Sequence, residues 1–299
     1  MNIIGELQEF TRNNEPKRKL FSKWANTYGH DDSNLEEWEK DGALWSWREP
    51  LDGHEYIIGV DAAEGVGDEG DNSCIQIFDQ ATLEQVAEFY SNLVPPYIFA
   101  QIVNELAVYY NTALVVVENM GPGGSVLSNL QNDLFYENLY CDATGKGAVK
   151  AGIKTGPNNK PILLEVMQHR LMNGTLKINS RRFVHELTTF IYNAQKRTAE
   201  PSPKGKHDDA IMAICFALYV RDTILRDVPM GAEVPKELLS PFKTSIYEEI
   251  KKEIMEGRQK DLIEGPRDVI LLPDEDDASA GVVYDFRRKH AKLLSEFNF

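Results

Sequence analysis

The spacing of apolar positions changes several times along the chain, and each change marks an element. Between residues 56 and 91 three short runs, "YIIGVD", "SCIQIFD" and "EQVAEFY", are almost continuously apolar and are separated by short polar stretches. Runs of that length predict buried strands, and their close spacing predicts hairpin-like connections within one sheet. After "VPP", residues Ile98, Ile102, Leu106 and Tyr109 recur at helical spacing, which predicts an amphipathic helix over 97–110 with a proline-bounded start. "ALVVVEN", 113–119, predicts a further buried strand with an abrupt polar end. "GPGG" then reads as a break, "SVLSNLQNDLF" as a helix and "LYC" as a short fifth strand.

The loop "GIKTGPNNKP" precedes a predicted helix "ILLEVMQHRLMNG" stopped by Gly174, a short strand "LKI" and a helix "FVHELTTFIYN". A basic loop "QKRTAEPSPKGKH" leads into a last helix, "DDAIMAICFALYVRD". Three strands, helix, strand, helix, strand, then helices is the order of a ribonuclease H-like α/β fold. Its central mixed sheet has three antiparallel strands followed by parallel ones, flanked by helices. The main domain is expected over 53–228. Residues 1–52 form an aromatic segment that holds all four tryptophans, expected to pack as a small subdomain or strap. Residues 229–299 are expected to form a charged helix, "SIYEEIKKEIMEGRQK", and an acidic tail around "LLPDEDDASAG".

Composition narrows the function classes. No apolar run approaches the roughly 20 residues of a membrane span, and the N-terminus lacks the order of a signal peptide, so the reading is cytosolic with no membrane partner. Cys74, Cys141 and Cys215 lie apart among apolar neighbours, as reduced core thiols do. The net charge of −15 argues at first against a nucleic-acid partner. Its distribution changes that: residues 143–207 hold 12 Lys and Arg against 3 Glu, a net +9 that leaves −24 on the rest. Lys154, Lys160, Arg181, Arg182, Lys196, Arg197, Lys204 and Lys206 are the candidates for holding a phosphate backbone without reading bases.

The loop after "YIIGVD" carries glycines at 65, 67 and 70, a literal G-x-G-x-x-G. A dinucleotide site needs those glycines to open a helix whose N-terminus faces the pyrophosphate. Here they lead into the strand "SCIQIFD", and Glu64, Asp68, Glu69 and Asp71 would repel a phosphate. The carboxylates suggest a different chemistry. Asp61 ends the first strand, Glu118 ends "ALVVVE", and Asp208 and Asp209 open the last helix. Acids at the ends of neighbouring buried strands and at a helix start can meet at one sheet edge, where hard divalent cations find oxygen ligands and offset the repulsion. Taken singly, each has a plainer role as turn residue, surface acid or helix cap.

"GVDAAEGVGDEGDNSCIQIFD", "LVVVENMGPGG" and "KGKHDDAIMAICFAL" together resemble the nuclease domain of phage terminase large subunits, particularly the T4-like type. The likeness covers roughly residues 50–225. It implies a metal-dependent endonuclease that cuts double-stranded viral DNA concatemers during genome packaging. It also implies two Mg²⁺ or Mn²⁺ ions, held by Asp61, Glu118 and Asp209 with Asp208 as cap or secondary ligand. "DDAIMA" resembles the "ADALA" helix start of related resolvases with Asp209 in register, and "GDNS" resembles a "GDYS" form that points to Asp71 as a further ligand. His207 is a candidate auxiliary group beside them. The resemblance further implies the portal protein, the small terminase subunit and a terminase ATPase domain as partners, in the cytoplasm of an infected bacterial host. The family's ATPase loop, G-x-x-x-x-G-K-[ST], does not occur in the sequence, so the chain reads as the nuclease portion. Two other classes stay open at this point: an actin- or sugar-kinase-like ATPase, and a catalytically silent DNA- or portal-interaction module.

Overall fold

The computed structural model describes residues 3–20, 42–65, 70–142, 150–193, 198–201 and 207–224. All of them belong to the first of the two units into which the chain divides, Met1–Phe242 and Lys243–Phe299. The expected C-terminal helix and acidic tail lie outside the described residues, as do Lys196, Arg197, Lys204 and Lys206.

Six strands form the main sheet: β1 (Arg18–Leu20), β2 (Leu44–Ser46), β3 (Tyr56–Asp61), β4 (Ser73–Asp79), β5 (Gln85–Ser91) and β6 (Leu114–Val117). Their spatial order is β1-β2-β5-β4-β3-β6. Every neighbouring pair is antiparallel except β3 and β6, which run parallel in the register Ile57↔Leu114 to Val60↔Val117. Beyond β6, Leu139 of "LYC" makes a parallel bridge to Val115, and Cys141–Asp142 (β7) pairs with Lys150–Ala151 (β8). The N-terminal segment contributes β1 and β2 to the sheet edge.

The strands are buried on both faces, so their apolar residues alternate between two cores. Ile58, Val60, Ile75, Ile77, Val115 and Val117 face one core with helices α1 (Ile3–Asn13) excluded and α2 (Pro96–Tyr109) and α3 (Pro122–Asn132) supplying the cover. Ile57, Cys74, Phe78, Leu114 and Val116 face the other, covered by α4 (Lys160–Met172), α5 (Arg181–Thr189) and α6 (Asp209–Tyr219). This parity places the functional acids. Asp61 follows Ile57 and Gly59 at intervals of two, and Glu118 follows Leu114 and Val116, so both belong to the α6 face. Gly59 sets the approach of that helix: a Cβ there would overlap the Ala213 carbonyl oxygen. The three cysteines are buried and unpaired.

Three expectations need correction. "LKI" forms no strand, only an isolated parallel bridge between Lys177 and Glu84. The break lies at Gly121, at φ +49°, and α3 begins at Pro122 rather than at Ser125, with proline in its first turn where no intrahelical donor is lost. "FIYN" is not the end of a helix. Helix α5 stops at Thr189, and Phe190–Asn193 (β9) pairs antiparallel with Thr198–Pro201 (β10), inside the stretch expected to be a loop. Aromatic and β-branched residues suit a pleated pair better than the end of a helix, and cross-strand pairing supplies what helical spacing alone could not reveal.

Candidate active site

The end of the sheet where β3 and β6 finish side by side carries the predicted acids. Asp61 is the last residue of β3, paired with Cys74 of β4, and the Glu118 backbone N–H donates to the Val60 carbonyl at 3.2 Å. The start of α6 delivers Asp208 and Asp209 to the same edge. Asp61 is partly buried and its carboxyl is held well above the usual range, first by burial and then by the charges of Asp209, Glu118, Asp208 and Glu186. The predicted acids are thus brought into one electrostatic cluster. Glu118 is raised too, by burial and by Asp208, with Lys160 opposing.

Asp209 is buried, at 6 % exposure. Burial pushes its carboxyl up to about 7, against the hydrogen bond from the Asn72 backbone and with Asp71 adding to the rise. Its Oδ2 accepts from the Asn72 backbone N–H at 2.8 Å and from Asn72 Nδ2 at 3.2 Å. Asn72 Nδ2 also donates to Tyr90 Oη at 3.1 Å, and Tyr90 Oη donates to Glu186 Oε1 at 2.9 Å. Glu186 closes the circuit by accepting from the first backbone N–H groups of α6, Ala210 at 3.2 Å and Ile211 at 3.0 Å. A helix start leaves those donors without intrahelical partners. The buried Glu186 carboxylate satisfies them from α5 and so fixes the turn that presents Asp209.

Asp71, His207 and Asp209 form a second grouping, with one ligand atom from each lying within 4.8 Å of the others. His207 Nδ1 is 3.5 Å from both Asp71 Oδ1 and Asp209 Oδ2, yet it is buried and makes no hydrogen bond. A buried imidazole nitrogen between two carboxylates, one of them the buried Asp209 whose carboxyl is pushed up, fits a divalent cation as the missing partner. Asp208 is engaged differently: Lys160 Nζ lies 2.6 Å from its Oδ2.

The basic candidates separate once placed. Lys154 is exposed. Lys160 belongs to the acid cluster through Asp208. Arg181 pairs with Glu15 at 2.7 Å and lies over the Trp45 ring at 4.6 Å. Arg182 cannot hold a phosphate backbone. It is 2 % exposed, its guanidinium lies 3.7 Å over Trp45, and it reaches Glu88 at 3.3 Å and the carbonyls of Gly42 and Ala43. A sequence-level charge count cannot see that the indole and a buried carboxylate enclose it.

Glu186, Tyr90 and Asn72 were not among the expected site residues. Asn72 lies inside "GDNS" next to a candidate ligand, which is a local signal. Glu186 and Tyr90 carry none, because their link joins positions 96 residues apart.

A mixed sheet in this order, with acids at the ends of β3 and β6 and at the start of the helix packed across them, defines a ribonuclease H-like protein. The chain belongs to the terminase RNaseH-like domain family, whose model matches residues 58–220, more than half of its length. The match does not distinguish a T4-like branch. Among solved structures it is similar to the large terminase nuclease from thermophilic phage G20c with bound magnesium, at 18 % identity over 59 % of this chain and 87 % of that one, TM-score 0.47. It is also similar to the Thermus phage P74-26 large terminase nuclease domain, at 18 % identity over 60 % and 87 %, TM-score 0.49. The human cytomegalovirus terminase nuclease domain is similar at 9 % identity over 69 % and 96 %, TM-score 0.41. Among the described residues, no helix is long and apolar enough to cross a membrane.

Proposed function

We propose that the chain is a metal-dependent endonuclease that cuts double-stranded DNA during viral genome packaging. The observation that carries this reading is the meeting of Asp61, Glu118, Asp208 and Asp209 at one sheet edge, where burial and neighbouring charge raise the carboxyls of Asp61, Glu118 and Asp209, with an unbonded His207 Nδ1 beside them. Asp61, Glu118 and Asp209 are the ligands, with Asp71 and His207 beside Asp209 and Asp208 as a secondary ligand. Mg²⁺ or Mn²⁺ held there, as two ions in a complete site, would supply an activated water and offset charge on the scissile phosphate and the departing 3′-oxygen.

The remaining work falls to the protein. The carboxylates are spaced by β3, β6 and α6 before substrate arrives, so little reorganisation is left for the reaction. In hydrolysis a P–O bond forms to water and the P–O3′ bond breaks, giving a 5′-phosphate and a 3′-hydroxyl. Asn72 occupies Asp209 Oδ2 with two donors, which leaves Oδ1 as the less engaged oxygen. Lys154, with Lys196, Arg197, Lys204 and Lys206 in the basic stretch, contributes to holding the DNA backbone, so affinity falls steeply with salt. By the same reading, the partners are the terminase ATPase domain, the portal and the small subunit, in the cytoplasm of the infected host.

Nicking of supercoiled plasmid in Mg²⁺ or Mn²⁺, with EDTA and Asp61→Ala as controls, tests the reading. Cleavage that requires the ion and is lost in the variant is expected. Cleavage unaffected by Asp61→Ala would overturn the site assignment, and nucleotide hydrolysis without DNA cleavage would favour the kinase-like class.

A further inference from the structure

Among the described residues, the acid cluster meets a lysine or arginine on one side only. Lys160 Nζ sits 2.6 Å from Asp208 Oδ2, and its charge also acts on Glu118. Among the described residues, no lysine or arginine is ion-paired with Asp71 or Asp209, the side where His207 Nδ1 has no hydrogen bond.

Lys160 is held in this position by the chain around it. The Ile153 backbone N–H donates to the Val117 carbonyl at 2.8 Å, and the Asn119 N–H donates to the Ile153 carbonyl at 2.6 Å. These bonds tie the incoming loop to the residues on either side of Glu118. The Gly156 N–H then donates to Asn159 Oδ1 at 2.8 Å, and the Lys160 N–H to the Gly156 carbonyl at 3.0 Å, forming the turn that opens α4. Lys160 is the first residue of that helix, and its side chain is one-third exposed. The loop is therefore fastened to the strand that carries Glu118, and its ammonium is directed onto the acid at the start of α6.

We infer that Lys160 is the resident cation of the Glu118–Asp208 half of the site, so that divalent ions load in order. One ion enters on the Asp71–His207–Asp209 side, where no described lysine or arginine is ion-paired, and a second enters only by displacing the Lys160 ammonium from Asp208. The physical basis is that an ammonium and a divalent ion compete for the same carboxylate oxygens, since each offsets the charge that attracts the other. The inference rests on the proposed metal site and adds the order in which it fills.

The test is a Mn²⁺ titration of the full chain without DNA, read by the loss of the free-ion electron paramagnetic resonance signal. It is run on the wild type, Lys160→Met and Lys160→Arg, with folding of each checked by its melting transition. The wild type is expected to bind one ion, and a second at least about tenfold more weakly. Lys160→Met, which keeps the stem and removes the charge, is expected to tighten the second ion by about tenfold and leave the first unchanged; Lys160→Arg is expected to behave as wild type. Two equal sites in the wild type, or an unchanged second constant in Lys160→Met, would overturn the loading order while leaving the metal site standing. Absence of Mn²⁺ binding in all three would overturn the metal site itself.

Discussion

Asn72 grips Asp209 through two donors at once, its backbone N–H at 2.8 Å and its side-chain amide at 3.2 Å, both on Oδ2. The carboxylate is thereby fixed in orientation by a residue from the β3–β4 connection, 137 positions away in the chain. Groups that orient a ligand typically govern its metal affinity by about 10- to 100-fold. Asn72→Ala keeps the backbone donor, so a loss near the lower end, about tenfold in Mn²⁺ affinity, is expected by calorimetry. Tyr90→Phe removes the hydroxyl that links Asn72 to Glu186 and is expected to weaken the ion in the same direction. Unchanged affinity in both variants would show that the circuit only supports the fold.

Asp61 is a source of repulsion as well as a proposed ligand. Its carboxyl is crowded by Asp209, Glu118, Asp208 and Glu186. Asp61→Asn preserves its shape and removes one charge from the cluster. The variant is expected to lose plasmid cleavage by at least about 100-fold and to melt higher than wild type in EDTA at pH 8, as residues selected for activity often do when replaced. A lower melting temperature would mean that Asp61 stabilises the fold and would weaken its reading as a strained ligand.

Gly59 decides how closely α6 lies on β3, and through that how near Asp209 comes to Asp61. A methyl group at this position would overlap the Ala213 carbonyl, a backbone atom that no side-chain rotation can move aside. Overpacking of this kind typically costs about 1–3 kcal/mol. Gly59→Ala is expected to fall at the upper end in urea unfolding and also to weaken Mn²⁺ binding, although residue 59 touches no proposed ligand.

Arg182 anchors the N-terminal strands to α5. Its guanidinium is enclosed by Trp45, Glu88 and the carbonyls of Gly42 and Ala43. Removing one member of a buried ion pair typically costs about 3–5 kcal/mol, because the partner is left charged and unpaired. Arg182→Ala is expected to destabilise by about that much and Arg182→Ala/Glu88→Ala by less than the sum of the single changes. A salt dependence of DNA binding identical to wild type in any folded Arg182 variant would agree with its burial.

The acids that meet at the proposed site are legible because their positions are local: a buried strand that stops on an acid, or a helix that starts on one, can be recognised from a few residues. Asp61, Glu118 and Asp209 are such cases. Glu186 was not, since nothing about "FVHELTT" indicates that its glutamate will meet the first turn of α6 and a tyrosine on β5. The basic stretch is legible as a charge excess, but a count does not tell which of its charges reach the surface. Charge counting assigns Arg182, Lys160 and Lys154 alike, whereas folding buries the first, turns the second onto Asp208 and leaves the third exposed. The pattern predicts helix and loop where β9 and β10 pair, because a short aromatic run fits either period until its partner strand is known.

The raised proton affinity of Asp209 makes stability depend on pH in an unusual direction for a carboxylate. Its native value is pushed up to about 7, whereas an unfolded aspartate titrates near about 3.9. Below both values each state holds the proton, and above both neither does. Between them the native state binds a proton that the unfolded state does not, so the number bound on unfolding falls and stability decreases as pH rises through that window. In EDTA the melting temperature is therefore expected to decline from pH 5 to pH 7.5, and the decline should be shallower in Asp209→Asn, whose amide does not titrate. A divalent ion requires the deprotonated carboxylate, so its stabilising effect should run the opposite way and grow over the same range. Melting curves of wild type and Asp209→Asn, each with EDTA and with Mn²⁺ at half-unit pH steps, separate these contributions. An EDTA slope that is the same in both proteins would show that Asp209 does not hold a proton at neutral pH, and a Mn²⁺ shift that is largest at pH 5 would contradict carboxylate ligation at this site.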